Sequence, residues 1–247
     1  MIVTVENQPP DASADAVHER EPPPHLMIWL GKLGHDLRNQ LAPMRTASQL
    51  LLSGRLEPSR QGEMLETIER QIQRMVGMLD DLTEFGRLQS GAQSVRRNPT
   101  DLAVVVDSAL RQSAVRLQDS GLTLERNVPD RPLMVEGDQQ RLIQTLVRML
   151  DNALRMTASP GHVVLSVSVS GNQVDIAVRD SGRGIPAEKL DAIFTLPAGP
   201  RAADGLGISL LLARACAQQH GGNLTVHSDG EAQGSTFVLR LPLSARQ

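Results

Sequence analysis

Two successive segments of this chain carry apolar side chains at the alternating three- and four-residue spacing of a helical seam. The first seam comprises Leu30, Leu33, Leu37, Gln40, Met44, Ala47 and Leu51. The second seam comprises Gln61, Leu65, Ile68, Ile72, Met75, Leu79 and Leu82. This heptad spacing is typical of helices that pack side by side along one stripe, so it predicts two long helices.

Turn residues indicate where these helices end. Ser53 and Gly54 stop the first helix, Pro58 suits the first turn of the second, and the second extends to about Gln89. Pro43 lies inside the first helix and predicts a kink there. A hairpin of two helices encloses no core, and a second copy closes it most simply. We therefore expect a homodimer that forms a four-helix bundle.

Composition divides the chain into three parts. Residues 1–25 contain five prolines and few large apolar side chains, which predicts a flexible N-terminal arm. Residues 26–95 carry the hairpin and a small-residue hinge, and so form a dimerisation domain. Across residues 96–247 helical and strand patterns are mixed, with the clearest strands at 163–169 and 174–178. The third part therefore predicts an α+β sandwich with helices on one face of a sheet.

Charge and composition exclude several classes of function. The 247 residues have a net charge of −3 and only 2% aromatic residues, so the basic surface and stacking platforms of nucleic-acid-binding proteins are missing. The longest apolar runs are shorter than the roughly 20 residues of a membrane span, and the N-terminus does not resemble a signal peptide. With one cysteine, Cys216, we expect a reduced cytoplasmic protein without a membrane segment.

One histidine on the first helix is a candidate nucleophile. His35 lies five residues past the seam position Leu30, so we expect it to face solvent. Asp36 adjoins it, and Asn39 follows one turn later on the same face. A neutral imidazole is a nucleophile near pH 7, and a neighbouring carboxylate can fix its tautomer.

A second group of candidates lies in the α+β region. Asp180 comes at the end of a predicted strand and is followed by Gly182 and Gly184, which suit a close approach to the backbone. Gly205 and Gly207 open a predicted helix over 206–219, whose free N–H groups favour anions.

Asn152 lies on the helix before the two clearest strands, and its amide oxygen is a possible ligand for Mg²⁺. The histidines show no metal-ligand spacing, so a transition metal held by the protein is not expected.

Together, six segments resemble the sensor histidine kinases of two-component systems, in the family's order and over about residues 26–243. They are similar to its phosphoacceptor motif (34–41), its Asn motif (151–157), its two glycine motifs (180–184 and 205–208) and the end of the same domain (220–222 and 234–237). Agreement of so many segments makes chance similarity remote. The resemblance implies a dimerisation and phosphotransfer hairpin followed by an ATP-binding domain of the GHKL (Bergerat) type.

The resemblance also implies roles for individual residues. His35 would attack the γ-phosphoryl group of ATP, Asp36 would act as base or orienter, and Asn39 would position the group or a hydrolytic water. In the ATP-binding domain the implied roles are adenine recognition by Asp180, Mg²⁺ binding by Asn152, phosphate contact by Arg155, base contact by Thr236, and pocket floor and lid at Gly182, Gly184, Gly205 and Gly207. The implied function is an ATP-dependent kinase that phosphorylates itself on His35 and then an aspartate of a response regulator, with or without phosphatase activity toward that regulator.

The sequence departs from the family pattern at three places. Gln40 stands where the family usually has proline, and Arg148 stands where an asparagine is common one turn before Asn152. The segment over 187–204 is short, which predicts a reduced lid over ATP. Arg148 and the short lid leave open a phosphotransfer or scaffold protein with a weak ATP domain. A third interpretation is a GHKL ATPase that uses ATP to close a clamp-shaped protein. It is disfavoured because such a protein requires neither a heptad hairpin nor a histidine at the position of His35.

Overall fold

The computed structural model describes residues 24–54, 56–90, 96–196 and 206–244, without the side chains of residues 24–26, 30, 32 and 36. The predicted arm over residues 1–25 thus lies outside the described residues up to residue 23, and the first helix already begins at Pro24. The predicted hinge over residues 90–94 is also outside the described residues, except for residue 90.

The N-terminal part is a helical hairpin, as the seams predict. Helix α1 spans Pro24–Leu52 and includes Pro43, and helix α2 spans Pro58–Gln89 with its proline in the first turn. The turn between them contains Gly54 with φ of +64°, a left-handed conformation that glycine adopts at little cost. None of the helices in the described ranges is long and apolar enough to cross a bilayer.

The remaining elements form an α+β domain, and the predicted fold class is confirmed. In chain order they are β1 (Asn98–Asp101), α3 (Leu102–Ser120), β2 (Thr123–Asn127), β3 (Met134–Gly137), α4 (Gln139–Met156), β4 (His162–Ser170), β5 (Gln173–Asp180), two short 3-10 turns (Ala187–Lys189 and Asp191–Phe194), α5 (Ser209–Gln219), β6 (Asn223–His227) and β7 (Ser235–Pro242). The main sheet has the order β2-β4-β5-β7-β6, and β1 pairs with β3 in a two-stranded sheet. Strand β2 is parallel to β4, and the other neighbouring strands are antiparallel.

The domain core lies between one face of the main sheet and the helices. Alternate residues of the central strands are buried because successive side chains point to opposite faces. In β5 these are Val174, Ile176 and Val178. They share one core cluster with Leu146 and Met149 of α4. The opposite face is more exposed and carries the ion pair of Arg240 with Asp175, which joins β7 to β5.

Two details of the domain differ from the sequence prediction. Strand β1 was not predicted, and helix α5 begins at Ser209 rather than at Leu206. Gly207 has φ of +71°, which an α-helix cannot contain, and Leu206 is buried in a separate apolar cluster. The helix therefore starts only after these residues.

That apolar cluster joins the hairpin to the α+β domain. Trp29 of α1 packs on Phe85 of α2 with ring centroids 5.0 Å apart. The indole N–H of Trp29 donates to the carbonyl oxygen of Leu206 at 3.2 Å. Ile208 and Leu212 complete the contact from the α+β side.

Candidate functional site

A cavity of about 1050 Å³ opens between α2, α4, the start of α5 and the loops that follow β5 and β6. Helix α4 contributes Asn152 and Arg155, and the loop after β5 contributes Gly184. Gly207 and Ser235 line it from the other side. A volume at the upper end of the small-molecule range suits a ligand of nucleotide size.

Asp180 lies behind Ser235 and does not itself line the cavity. It is the last residue of β5, is 2% exposed, and lies directly opposite Ser235 of β7 in the strand register. Its Oδ1 accepts from the Gly182 N–H at 2.8 Å, and its Oδ2 accepts from the Ser235 hydroxyl at 2.5 Å. A carboxylate has about four acceptor positions, so these two bonds leave Asp180 able to accept from a ligand amino group.

The glycines after Asp180 allow three backbone segments to meet. A Cβ on Gly182 would collide with the carbonyl oxygen of Met156, and one on Gly184 would collide with that of Gly230. The Gly234 N–H donates to the Gly182 carbonyl at 3.0 Å, which holds the β6–β7 loop against this turn. Gly182 thus lies behind the lining, whereas Gly184 lines the cavity itself.

Asn152 is held on the buried side of α4. Helix α4 begins at the N-cap Asp138, whose carboxylate accepts from the Arg141 N–H. Asn152 is 7% exposed and lines the cavity, as does its neighbour Asp151. Burial raises the pKa of Asp151, and the nearby Arg116, 3.1 Å away, opposes that rise. An amide and a carboxylate oxygen are hard ligands of the kind that Mg²⁺ prefers.

Basic side chains surround the same cavity. Arg155, Arg183 and Lys189 line it from the α+β domain, and Arg74 lines it from α2. This concentration of positive charge favours a polyanionic ligand.

His35 lies on α1, exposed and outside the lining of the cavity. The Asn39 amide nitrogen lies 3.2 Å from its Nδ1, across one helical turn. If the Asn39 amide N–H donates to Nδ1, the ring proton is on Nε2. In the flipped orientation of the amide, its oxygen accepts the hydrogen bond of Nδ1–H, and Nε2 is then free for nucleophilic attack. The side chain of Asp36 lies outside the described part of the chain.

The structure thus brings together most of the residues that the sequence indicated in the α+β domain. Asp180 and Gly182 lie behind the lining. Thr236 does not line the cavity either, whereas its neighbours Ser235 and Phe237 do. Because successive strand residues face opposite ways, Thr236 lies on the other face of β7, and its predicted contact with the base stays a prediction. Gly205 lies outside the described residues, and its predicted role is not tested.

The sequence did not indicate the contacts of two cavity residues. Ser235 lies opposite Asp180, which follows from the pairing of β5 with β7. Arg148, which stands where the family commonly has an asparagine, contacts the hairpin. Its Nη2 lies 2.9 Å from the Asp81 carboxylate and 2.6 Å from that of Glu84, both on α2. No local pattern could have revealed contacts 64 and 67 residues apart.

Comparison with known proteins gives two family matches. Residues 28–91 match the His Kinase A (phospho-acceptor) domain. Residues 137–245 match the family of histidine kinase-, DNA gyrase B- and HSP90-like ATPases.

Individual relatives cover nearly the whole chain. The alginate biosynthesis sensor protein KinB of Pseudomonas aeruginosa is 29% identical over 86% of this chain and 36% of its own length. The adaptive-response sensory kinase SasA of Synechococcus sp. (strain CC9902) is 31% identical over 93% of this chain and 58% of its own length. The chain thus spans about a third to three fifths of these relatives.

A solved structure shows the same fold. The histidine kinase ThkA, in complex with the response regulator protein TrrA, aligns with a TM-score of 0.68 at 18% identity, over 89% of this chain and 62% of that one. The hairpin and the α+β domain follow one another in the same order as the two family matches. The chain therefore belongs to the sensor histidine kinases of two-component systems.

Proposed function

We propose that this chain is an ATP-dependent protein histidine kinase that phosphorylates itself on His35 and passes the phosphoryl group to an aspartate of a response regulator. One observation carries the proposal. The same chain presents an exposed His35 paired with Asn39 on a helical hairpin. Its ATPase-type domain has a cavity lined by Asn152 and by Ser235, which binds the buried Asp180.

The cavity residues support ATP as the bound nucleotide. Asp180 accepts a hydrogen bond from the adenine amino group, with Ser235 beside it. Arg155 and Arg183, which line the cavity, neutralise phosphate charge. Asn152, with Asp151 next to it, is suited to hold Mg²⁺, which screens the phosphates and polarises the γ-phosphoryl group when it is bound.

The proposed transfer is a displacement at the γ-phosphorus. The lone pair of the His35 nitrogen forms the new N–P bond while the bond to the β–γ bridging oxygen breaks, and ADP leaves with that electron pair. The proton on the other ring nitrogen passes to Asp36 or to water. Asn39 holds the imidazole in place, so the residues contribute mainly position and charge neutralisation.

A homodimer fits the surface of the hairpin. Leu65 is 58% exposed and Ile72 is 39% exposed, although both are seam residues. Leu41 and Leu79 are likewise exposed. Since exposed apolar seams favour association, a second copy of the hairpin is the proposed partner.

The second proposed partner is a response regulator in the cytoplasm. ThkA, which shares the fold, was solved with such a regulator. Asn39, next to His35, is placed to orient either the phosphoryl group or a water, so it is the proposed residue for phosphatase activity toward the regulator.

Incubation with γ-labelled ATP and Mg²⁺ tests the proposed function. Wild-type protein should gain an acid-labile label, and the His35→Gln variant should gain none. Label that survives in His35→Gln would contradict His35 as the phosphoacceptor. Nucleotide binding without any label would contradict the kinase and favour a scaffold.

A further inference from the structure

Arg148 links the nucleotide cavity to the hairpin. It lies on α4 one turn before Asn152, and it lines the cavity. Its Nη2 alone contacts both Asp81 and Glu84 of α2, at 2.9 Å and 2.6 Å. The Arg148 side chain is only 13% exposed, so water screens these contacts weakly.

Two carboxylates of α2 bind one guanidinium nitrogen of α4 in this contact. Asp81, like Arg148, also lines the cavity. Burial raises the pKa of Asp81, Arg148 opposes that rise, and Glu84 adds to it. From α2, phosphates entering the cavity would meet the cation Arg74 and the carboxylate of Asp81. Arg148 attracts the phosphates and the carboxylates alike.

We propose that the carboxylates of Asp81 and Glu84 compete with the phosphates of a bound nucleotide for Arg148, so that nucleotide binding loosens the ATP-binding domain from its own hairpin. The inference rests on the proposed function for the identity of the ligand. Arg148 moves with α4, and the two acids move with α2. Separation of the helices therefore removes the repulsion between these carboxylates and the phosphates, and the guanidinium stays with the nucleotide.

Trp29 is part of the same interface. It is 2% exposed, contacts Phe85, and donates to the Leu206 carbonyl next to the start of α5. Because it is the only tryptophan of the chain, its fluorescence reports whether the two domains are docked.

Docking also separates the cavity from the phosphoacceptor of the same chain. His35 follows Trp29 by six residues, which places it about 120° away around α1. It does not line the cavity, whereas Trp29 faces the ATP-binding domain. Loosening of the domain is therefore a step that favours transfer to His35.

Linkage gives a test that does not depend on turnover. If nucleotide weakens docking, then weakened docking must strengthen nucleotide binding by the same factor. Glu84 does not line the cavity, so Glu84→Gln removes one competitor without touching the binding residues. Glu66→Gln is the matched control, since Glu66 is an exposed glutamate of the same helix.

The experiment uses the full chain with a non-hydrolysable ATP analogue and Mg²⁺, measured by calorimetry and by acrylamide quenching of Trp29. We expect Glu84→Gln to bind the analogue about fivefold or more tightly than wild type and Glu66→Gln. We also expect stronger quenching of Trp29 in nucleotide-free Glu84→Gln, and in wild type when the analogue is added.

Equal or weaker binding by Glu84→Gln, or weaker quenching of wild type with the analogue, would overturn the proposal. Failure of the analogue to bind any variant would instead contradict the proposed function. Even then, quenching of nucleotide-free Glu84→Gln decides whether Arg148 holds the domain, because unchanged quenching would show that it does not.

Discussion

The hydroxyl of Ser235 lies 2.5 Å from Oδ2 of Asp180, and this bond connects a buried carboxylate to the wall of the cavity. The pairing of β5 with β7 places the two residues opposite each other. The acid is thereby held in one orientation from two sides, because the Gly182 N–H binds its other oxygen.

Replacing this carboxylate should weaken nucleotide binding more than it changes the fold. Asp180→Asn removes the charge that accepts from the adenine amino group, and hydrogen bonds to charged groups contribute about 1.5–3 kcal/mol. Calorimetry with an ATP analogue should show affinity at least about tenfold lower. Ser235→Ala, which leaves the carboxylate in place, should show a smaller loss; wild-type affinity in Asp180→Asn would remove Asp180 from the site.

The proposed dimer can be tested at Ile72, which lies in the middle of the second seam. Ile72→Asp would bury a charge in the bundle, which costs several kcal/mol, and should give monomers or aggregates. Gln73→Asp is a suitable control because it adds the same charge at an exposed neighbouring position. Light scattering at micromolar concentration distinguishes the two, and a monomeric mass for wild type would contradict the bundle.

Asn39→Ala should separate two activities of the hairpin. The Asn39 amide contacts and positions His35, but the lone pair that attacks phosphorus belongs to the imidazole itself. We expect a larger loss in the dephosphorylation of the regulator than in autophosphorylation. Rates of both reactions should be measured on the same preparation, and equal losses would assign Asn39 to helix or site integrity.

His220 should make the α+β domain sensitive to acid. Its Nδ1–H donates to the Cys216 carbonyl at 2.7 Å, and its Nε2 accepts from the Asp138 N–H at 3.0 Å, so the ring is bound in its neutral form. Burial lowers the pKa of His220. The unfolded chain therefore takes up this proton at higher pH than the folded chain.

The free energy of unfolding should consequently fall as the pH decreases from about 6.5, the ordinary value of histidine, through the lowered pKa of His220. Above that window this residue adds no pH dependence. Denaturant unfolding at several pH values should give a shallower dependence for His220→Gln than for wild type, with the exposed His227→Gln as control. The same slope in His220→Gln would rule out this residue as the cause.

Local patterns predicted the elements that carry most of the site. The heptad spacing gave both hairpin helices because an apolar stripe repeats with the helical period. Alternation gave β4 and β5, and the acid at the end of β5 marked Asp180. Each of these signals lies within one element.

The features that were missed depend on distant contacts. Strand β1 includes Pro99 and forms only by pairing with β3. Ser235 lines the cavity and Thr236 does not, because successive residues of a strand lie on opposite faces, and the pairing of β7 decides which face that is. The partners of Arg148 lie on another helix, so its role required the tertiary structure.

The most direct test of the account locates the phosphate after autophosphorylation. Wild-type protein incubated with ATP and Mg²⁺ should be digested at neutral or basic pH and analysed by mass spectrometry. The account predicts one added phosphoryl group on His35, lost on brief acid treatment and formed more slowly when Asp180→Asn is incubated at the same subsaturating ATP concentration. Phosphate on any other residue, or phosphorylation of His35 at an equal rate in Asp180→Asn, would contradict it.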